Sequence, residues 1–297
     1  MKNLFSIASL IMILFGSTTL HAQKLSGQVL ESDSKKSVSY VNIGIVGKDI
    51  GTVSDKSGKF NLNISNATNS DTLRFSYIGF ESYDIGVRSI RNYGFNNPVF
   101  IKEKLFELDE IIIESKKLIP KTLGVRKKDG YPIPLFKKAK TEIPFPQKNY
   151  RHEVGTLFRD VGLVYLDSVQ VNFSEFAIDT VDLRINIYSF KDGDFENVLK
   201  EPVYIQIVTS KSNTSPVIDL SKLGLFLDQN FLITIENYKR IPNNSVKIFA
   251  NLKSKGYKFP TYYRSNSQSD WINLKSKSRD FGISIQAFLR QNQNNPK

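Results

Sequence analysis

Short segments rich in Val, Ile, Phe and Tyr recur along this chain, separated by clusters of Gly, Asp, Asn and Ser. Their spacing of about ten residues is typical of an antiparallel β-sandwich. Within residues 58–64 apolar and polar side chains alternate, as expected for a strand with one buried face. Between residues 24 and 115, the segments that fit strands are 25–31, 38–46, 58–64, 71–80, 83–87, 99–105 and 109–115.

The second half of the chain shows the same pattern and no long helical periodicity. In residues 181–190 the alternation predicts that Val181, Leu183, Ile185 and Ile187 point inward. It predicts that Asp182, Arg184 and Asn186 point outward. We therefore expect an all-β fold in which a second β-sandwich, jelly-roll-like, follows the first. Its expected strands are 162–173, 181–190, 203–210, 231–238, 246–252, 269–274 and 281–289.

The first 22 residues have the composition of a secretory signal peptide, with a basic Lys2, an apolar core at 4–15 and Ala22 before the predicted cut. The apolar core is too short to span a membrane comfortably; an uncleaved anchor is the alternative. No later stretch reaches the ~20 apolar residues of a membrane helix. We therefore expect a secreted chain without a transmembrane span in its mature part.

The remaining chain exceeds the usual size of one domain, so two domains are expected. Residues 116–150 separate them, because five prolines there would break a helix and basic residues dominate. The predicted organisation is a signal peptide at 1–22, a first β-sandwich at 23–115, a connector at 116–150 and a second β-sandwich at 151–297.

The inventory of reactive side chains excludes much chemistry. The chain has no Cys and two His, of which only His152 follows the predicted signal peptide. Catalytic zinc sites usually need two or three His, and a nucleophilic Cys is absent. We interpret His152 as a structural or solvated residue at the start of a strand. We predict no enzyme activity, no cofactor and no metal, although a pair of carboxylates acting on a glycan stays open.

Two acidic loops allow either a turn or a calcium site. The segment "SDKSG" (54–58) lies between two expected strands, and its Asp, Ser and Gly favour a hairpin turn over a calcium loop. The segment "KDGDFEN" (191–197) places Asp192, Asp194 and Glu196 at alternating positions, a spacing that can bind calcium. We interpret this segment too as a polar hairpin tip.

Three segments of the first domain carry a family resemblance. They are "IGTVSDKSGKF" (50–60), "LRFSYIGFES" (73–82) and "LDEIII" (108–113). Together with the residues around them, from Leu25 to Ser115, they closely resemble the carboxypeptidase-regulatory-like domain abundant in Bacteroidetes. The resemblance implies a transthyretin-like β-sandwich without catalytic activity, in the envelope of a Gram-negative bacterium.

The same module precedes the plug of TonB-dependent transporters, where a segment like "LDEIII" leads into the plug. About 180 residues follow Ser115, too few for a plug and a membrane barrel. We therefore expect a stand-alone relative of that N-terminal extension. The order of segments after residue 183 more weakly resembles the carboxy-terminal region of secreted Bacteroidetes proteins with this module, which implies no activity.

The predicted connector is strongly basic. Residues 116–151 contain eleven Lys or Arg and two acids, Asp129 and Glu142. Such charge favours an acidic partner, and secretion argues against nucleic acid. Two interpretations are open: contact with an acidic surface, such as lipopolysaccharide phosphate, acidic polysaccharide or an acidic protein face, and a solvated linker that keeps the protein soluble.

Two surfaces are candidates for binding. Tyr262, Tyr263, Arg264 and Trp271 combine flat rings with planar hydrogen-bonding groups, as sugar-binding faces do; core or cross-strand packing is the alternative. The strand of Asp109, Glu110, Ile111, Ile112 and Ile113 is a candidate edge for pairing with a partner strand.

These observations predict a secreted, non-enzymatic binding or accessory module of the bacterial cell envelope, in the periplasm or associated with the outer membrane. Its expected partner is a polysaccharide or an envelope protein, and no nucleic acid. The alternatives are a glycan hydrolase that uses a carboxylate pair, and a purely structural envelope protein.

Overall fold

The computed structural model describes residues 24–105, 118–126, 130–134, 152–209, 215–227, 230–239, 241, 245–254, 257–275 and 279–292. The predicted signal peptide (1–22) and the predicted pairing edge (109–113) lie outside the described residues. Residues 24–105 form a first β unit, and the strands from residue 118 to residue 292 form a second one.

The first unit contains two sheets. A three-stranded sheet has the order β4-β1-β7 and a four-stranded sheet has the order β3-β2-β5-β6. The pairing of β1 with β7 is parallel, and the other pairings are antiparallel. The strands are β1 (Lys24–Glu31), β2 (Asn42–Ile45), β3 (Gly51–Val53), β4 (Lys59–Asn63), β5 (Thr72–Ser76), β6 (Tyr83–Gly86) and β7 (Val99–Ile101).

Alternation along these strands builds the core of the first unit. Phe60 and Leu62 on β4 are buried, whereas Lys59, Asn61 and Asn63 between them are exposed. A short helix, α1 (Val87–Tyr93), follows β6 and was not expected from the strand-like sequence. The core of the unit includes Val29, Ile43, Ile45, Leu73, Phe75, Val87 and Ile90.

Asp55 organises the turn between β3 and β4. Its Oδ1 accepts hydrogen bonds from the backbone N–H groups of Ser57 (2.8 Å) and Lys59 (3.0 Å) and from the Ser57 hydroxyl (2.7 Å). The turn at 54–58 is confirmed, but the predicted hairpin is wrong. Because β3 pairs with β2 and β4 pairs with β1, this turn carries the chain from one sheet to the other.

Within the residues that the structure describes, the second unit contains sixteen strands in three sheets. Its first half supplies β8 (Leu118–Gly124), β9 (Tyr131–Pro134), β10 (Glu153–Phe158), β11 (Val164–Val171), β12 (Phe173–Phe176), β13 (Thr180–Lys191), β14 (Asp194–Asn197) and β15 (Val203–Val208). Its second half supplies β16 (Val217–Asp219), a 3-10 turn (Ser221–Leu223), β17 (Phe226–Leu227), β18 (Asn230–Glu236), β19 (Val246–Ser254), β20 (Thr261–Arg264), β21 (Ile272–Leu274), β22 (Arg279–Ile283) and β23 (Ile285–Asn292).

The sheets of the second unit enclose one large apolar core. A seven-stranded sheet has the order β14-β13-β18-β10-β20-β21, with β15 also paired to β13. A five-stranded sheet has the order β16-β11-β23-β8 with β17 on β11, and a four-stranded sheet has the order β12-β19-β22 with β9 on β19. As predicted, Val181, Leu183, Ile185 and Ile187 on β13 point into this core.

Two strands of the second unit come from the segment predicted as a connector. Strand β8 pairs with β23 along seven residues, and β9 pairs with β19 along four. Ile133 on β9 is buried in the core of the second unit. The described parts of this segment are therefore integrated into the sheets of the second unit.

The acidic segment 191–197 is a hairpin, as predicted. Lys191 on β13 pairs with Asp194 on β14, and Asp192 and Gly193 between them have φ of 52° and 96°. Such a pair of positive φ angles is the geometry of a two-residue hairpin turn. Among the described residues, no group of three or more acids or His is arranged to hold a metal ion.

The architecture confirms the all-β prediction, because two sets of packed sheets form the described structure. Their arrangement is that of β-sandwich domains. None of the helices within the described residues has the length and apolar character of a membrane span.

Candidate functional site

The two units meet over the outer face of the seven-stranded sheet. Arg184 on β13 points away from the core of the second unit and is fully buried. Its Nη2 donates a hydrogen bond to Asn42 Oδ1 of the first unit (2.8 Å), and its Nη1 donates to the Tyr40 carbonyl oxygen (3.3 Å). The prediction that Arg184 points outward is therefore correct for the sheet, but the first unit covers the residue.

Arg184 is held by Glu236 on the neighbouring strand. The two residues lie opposite each other in the β13–β18 register. Two parallel bonds join them, from Nε to Oε2 (2.9 Å) and from Nη2 to Oε1 (2.8 Å). Burial alone would lower the pKa of Arg184, but the attraction of the Glu236 carboxylate raises it above its ordinary value. Arg184 therefore stays charged inside the interface.

A second buried ion pair lies next to the first. Glu153 on β10 is fully buried, and its Oε2 accepts a hydrogen bond from Arg264 Nε (2.7 Å). Its Oε1 accepts from Tyr188 Oη (2.8 Å) and from the Thr234 hydroxyl. Burial raises the pKa of Tyr188 well above its ordinary value, so the phenol keeps the proton that it donates.

Asn186 connects the two ion pairs. Its Nδ2 donates to Glu153 Oε1 (2.8 Å) and to Glu236 Oε2 (2.9 Å). Two Arg and two Glu thus form one network in which the charges balance. A buried charge is tolerated only when it is paired and its remaining hydrogen-bonding groups are satisfied. In this network each charge is paired, and the hydrogen bonds fix the positions of Asn186, Tyr188 and Arg264.

A loop of the second unit, residues 265–269, receives the β2–β3 hairpin of the first. Asn266 Nδ2 donates to the Lys48 carbonyl oxygen (3.1 Å), and Gln268 Nε2 donates to Ser76 Oγ (2.6 Å). The backbone approach is close, since a Cβ atom on Gly51 would lie 2.7 Å from Asn266 Cγ. The two units are therefore joined along a tightly packed, mostly polar interface.

A cleft of about 260 Å³ opens between the two units beside this network. From the first unit it is lined by Asn42, Arg74, Ser76, Tyr77, Phe80, Ser82 and Lys104. From the second unit it is lined by Asn186, Tyr188, Asn197, Leu199, Arg264, Ser267 and Gln268. Because both units contribute walls, this cleft is the candidate functional site.

The lining of the cleft is polar and basic. Arg74, Lys104 and Arg264 contribute cationic groups, and no Asp or Glu lines the cleft among the described residues. Arg74 is partly exposed and donates two hydrogen bonds to Asp84, both of 2.7 Å. Asn42 and Asn197 add amide groups to the lining, whereas the Asn186 amide is already bonded to Glu153, Glu236 and Asn197.

The first unit has a recognised family. Residues 25–113 match the family model of the CarboxypepD_reg-like domain. The chain carries a carboxypeptidase-regulatory-like domain. This module is a β-sandwich that is generally non-catalytic, and the first unit is its described part. The predicted resemblance is thereby confirmed for the domain, while the relation to TonB-dependent transporters stays a prediction.

Comparisons of the whole chain add no functional relative. No curated protein matches it. Two solved structures from infectious bursal disease virus, one of the Gx strain and one of the T13 viral particle, match at 10% sequence identity with TM-scores of 0.25 and 0.22. The alignments cover 92% of this chain but 56% and 63% of those chains, less than two thirds of either. TM-scores of this size carry no argument about fold or function.

Of the four residues predicted as a sugar-binding face, Arg264 lines the cleft. Tyr263 is fully buried in the core of the second unit, so it does not belong to such a face. Tyr262 and Trp271 are half-buried and each pack against Phe195, at 5.3 Å between ring centroids. Arg264 lies over the Trp271 ring at 4.3 Å. The aromatics thus mainly support the wall that carries Arg264.

His152 lies beneath the loop that receives the regulatory-like domain. Its Nδ1 is 2.7 Å from the Tyr263 hydroxyl, and its ring also bonds the backbone of Ser265. Burial lowers the pKa of His152 to about 4, despite the opposing influence of Asp49. At neutral pH His152 is therefore an uncharged, structural residue, as its sequence context predicted.

Sequence reasoning missed the residues that build the interface. Glu153, Glu236 and Asn42 were not singled out, and Arg184 was predicted only to point outward from its sheet. One signal was available: charged or amide side chains recur on strands whose remaining residues are almost all apolar, as in "VDLRINIYSF" (181–190). The proposed pairing edge, Asp109, Glu110, Ile111, Ile112 and Ile113, lies outside the described residues and stays a prediction.

Proposed function

We propose that this protein is a secreted, non-catalytic binding module of the bacterial envelope, and that it holds a polysaccharide in the cleft between its two units. The protein acts in the periplasm or at the outer membrane. One observation carries the proposal: the buried network of Glu153, Arg184 and Glu236 fixes four residues that line this cleft, namely Asn42, Asn186, Tyr188 and Arg264. A site whose groups are already held in place loses little conformational entropy when a ligand binds.

The chemistry of the lining supports a sugar ligand. Tyr77 and Phe80 place two rings 5.5 Å apart at the wall formed by the regulatory-like domain, and aromatic rings pack against the apolar faces of sugars. Asn197 and Ser82 offer hydrogen-bonding groups for hydroxyls. A volume of about 260 Å³ lies below the range of about 300–1,000 Å³ that holds drug-sized ligands. The cleft therefore suits one or two sugar rings of a longer chain.

The hydrolase alternative is less well supported, although a carboxylate pair exists. Glu153 and Glu236 both accept hydrogen bonds from Asn186 Nδ2, so the two carboxylates are neighbours. A glycosidase acid must carry a proton and contact the leaving oxygen. Here each carboxylate is buried against an Arg side chain, and neither lines the cleft. The pair is better suited to hold the units together.

A blocking substitution tests the proposal. Ser82 is exposed and lines the cleft, so Ser82→Tyr fills it without disturbing the core. Ser89→Tyr, on the exposed face of α1, is the matched control. We expect residues 23–297 to bind polysaccharide extracted from the envelope of the host, by isothermal titration calorimetry. Ser82→Tyr should lose this binding and Ser89→Tyr should keep it. Equal binding by both variants, or no binding by the unmodified chain, would contradict the proposal.

A further inference from the structure

Within the described residues, three cationic side chains and no carboxylate line the cleft, and their arrangement says which sugars it would select. We propose that the cleft selects acidic sugar residues, namely those that carry a carboxylate or a phosphate. This inference rests on the proposed function, since it assumes a glycan in the cleft and adds the charge of the residue recognised. Its carriers are Arg264 on one wall and Arg74 with Lys104 on the other.

Arg264 is positioned as a fixed cationic donor. Its Nε donates a hydrogen bond to Glu153 Oε2 and its Nη2 donates one to the Tyr188 hydroxyl, both at 2.7 Å. Its guanidinium lies over the Trp271 ring. Its Nη1 makes no hydrogen bond to any residue in the described part of the chain. The side chain is 12% exposed and lines the cleft, so a ligand oxygen can reach it. A guanidinium held in this way is pre-organised to bind an anionic oxygen.

The opposite wall is basic as well. Arg74 is 38% exposed on its side chain, and its Nε and Nη2 bind Asp84, which does not line the cleft. Lys104, just after β7, is exposed at the same wall. A ligand in the cleft would therefore meet cationic groups from both units. An anion within reach of both walls gains charge-assisted hydrogen bonds, which are about twice as strong as neutral ones.

The uncharged residues that line the cleft indicate that the anionic group belongs to a sugar. The Asn197 amide, the Ser82 hydroxyl and the ring of Tyr77 stand beside the cationic groups. These groups fit hydroxyls and an apolar ring face, which a simple inorganic ion does not offer. Arg and Lys side chains bind carboxylate and phosphate groups in the same way. An experiment is therefore needed to distinguish a sugar that carries a carboxylate from one that carries a phosphate.

The test uses four probes with residues 23–297: trigalacturonate, its neutral counterpart galactotriose, glucose 6-phosphate and inorganic phosphate. Calorimetry should show that trigalacturonate or glucose 6-phosphate binds at least about tenfold more tightly than galactotriose. Binding of the acidic probe should weaken as salt rises from 50 to 500 mM, since charge interactions are screened. Which acidic probe binds identifies the anion as carboxylate or phosphate.

A double variant ties the preference to the cleft. Arg74→Gln/Lys104→Gln should reduce binding of the acidic probe by about tenfold or more. Lys36→Gln/Arg88→Gln removes the same total charge at exposed sites that do not line the cleft and should leave binding unchanged. Equal losses in both double variants would overturn the inference, because they would show a general charge effect.

The outcomes separate this inference from the proposed function. If galactotriose binds as tightly as trigalacturonate and Ser82→Tyr abolishes both, the proposed function stands and acid selection is wrong. If only inorganic phosphate binds, the cleft holds a simple anion and the inference is overturned. If none of the four probes binds, the inference is again overturned. The proposed function is then decided by its own test, the binding of envelope polysaccharide to the unmodified chain and to Ser82→Tyr.

Discussion

Arg184 on β13 and Glu236 on β18 lie opposite each other and form a two-bonded ion pair, with both side chains almost completely buried. Asn42 of the regulatory-like domain accepts a further hydrogen bond from Arg184. The pair therefore belongs to the second unit, but the first unit seals it from water. This relationship makes the interface between the units sensitive to the loss of one charge.

Replacing Arg184 tests how strongly the network is coupled. In Arg184→Met, Glu236 would remain buried without its cationic partner. Breaking a buried pair in this way typically costs about 3–5 kcal/mol, so we expect the free energy of unfolding to fall by about that amount. Urea unfolding followed by circular dichroism measures the change.

Two variants control this experiment. Arg290 pairs with Asp167 at the surface, with side-chain exposures of 42% and 29%, and Arg290→Met should cost no more than about 1 kcal/mol. The double variant Arg184→Met/Glu236→Met removes both buried charges and should be more stable than Arg184→Met alone. A loss for Arg184→Met no larger than for Arg290→Met would show that the buried pair is unimportant.

Gly51→Ala tests the close approach of the two units. A Cβ atom at Gly51 would lie 2.7 Å from Asn266 Cγ and 2.9 Å from its Oδ1. Overpacking of this kind typically costs about 1–3 kcal/mol, and we expect a lower unfolding midpoint in urea. Gly86→Ala is the control, since its Cβ would meet nothing closer than 3.8 Å. Equal midpoints for the two variants would contradict a tight interface at Asn266.

Gly58→Ala tests the turn that connects the sheets of the first unit. Gly58 has φ of 77°, and an added Cβ would lie 2.6 Å from the Val29 carbonyl oxygen. Gly224→Ala is the control: Gly224 has φ of 60°, and an added Cβ would meet no atom within 4 Å. This variant therefore shows only the cost of a side chain at positive φ, which is about 1–2 kcal/mol. Gly58→Ala should therefore destabilise the protein clearly more than Gly224→Ala in thermal unfolding. Similar losses would show that the backbone contact does not matter.

His152 should impose a pH dependence on stability. Burial lowers its pKa from 6.5 to about 4 in the folded protein, so between these values the unfolded chain binds a proton that the folded one does not. The resulting stability is fully present above pH 6.5 and is lost as the pH falls towards 4. The loss is at most about 3 kcal/mol. Urea unfolding at pH 7, 5.5 and 4.5 measures the slope.

A variant without the imidazole isolates this effect. His152→Asn should flatten the slope between pH 6.5 and 4.5, whatever its stability at pH 7. Tyr263→Phe removes the hydroxyl that contacts His152 Nδ1 but keeps the titrating ring, so its slope should persist. If the free energy of unfolding of His152→Asn changed with pH as steeply as that of the unmodified protein, other groups would be responsible for the pH dependence.

Strand periodicity predicted most of the sheets, because a buried core on one side imposes alternation on every strand that faces it. It could not predict the burial of Arg184 and Asn186, which depends on a second unit covering the other face. It left Tyr263 open between a binding face and core or cross-strand packing, because a Tyr-rich, polar segment fits both, and the structure shows the core. It also missed β8 and β9, which lie in a segment rich in Lys and Pro but pair with distant strands.

Trp271 offers the most direct measurement of the central claim, that the cleft between the units binds a glycan. It is the single Trp of the chain, and its ring lies 4.3 Å from the guanidinium of Arg264, which lines the cleft. Titration of residues 23–297 with envelope polysaccharide should produce a saturable change in tryptophan emission. The change should disappear in Ser82→Tyr and persist in Ser89→Tyr. Polysaccharide binding that leaves the emission of Trp271 unchanged and is unaffected by Ser82→Tyr would contradict the account.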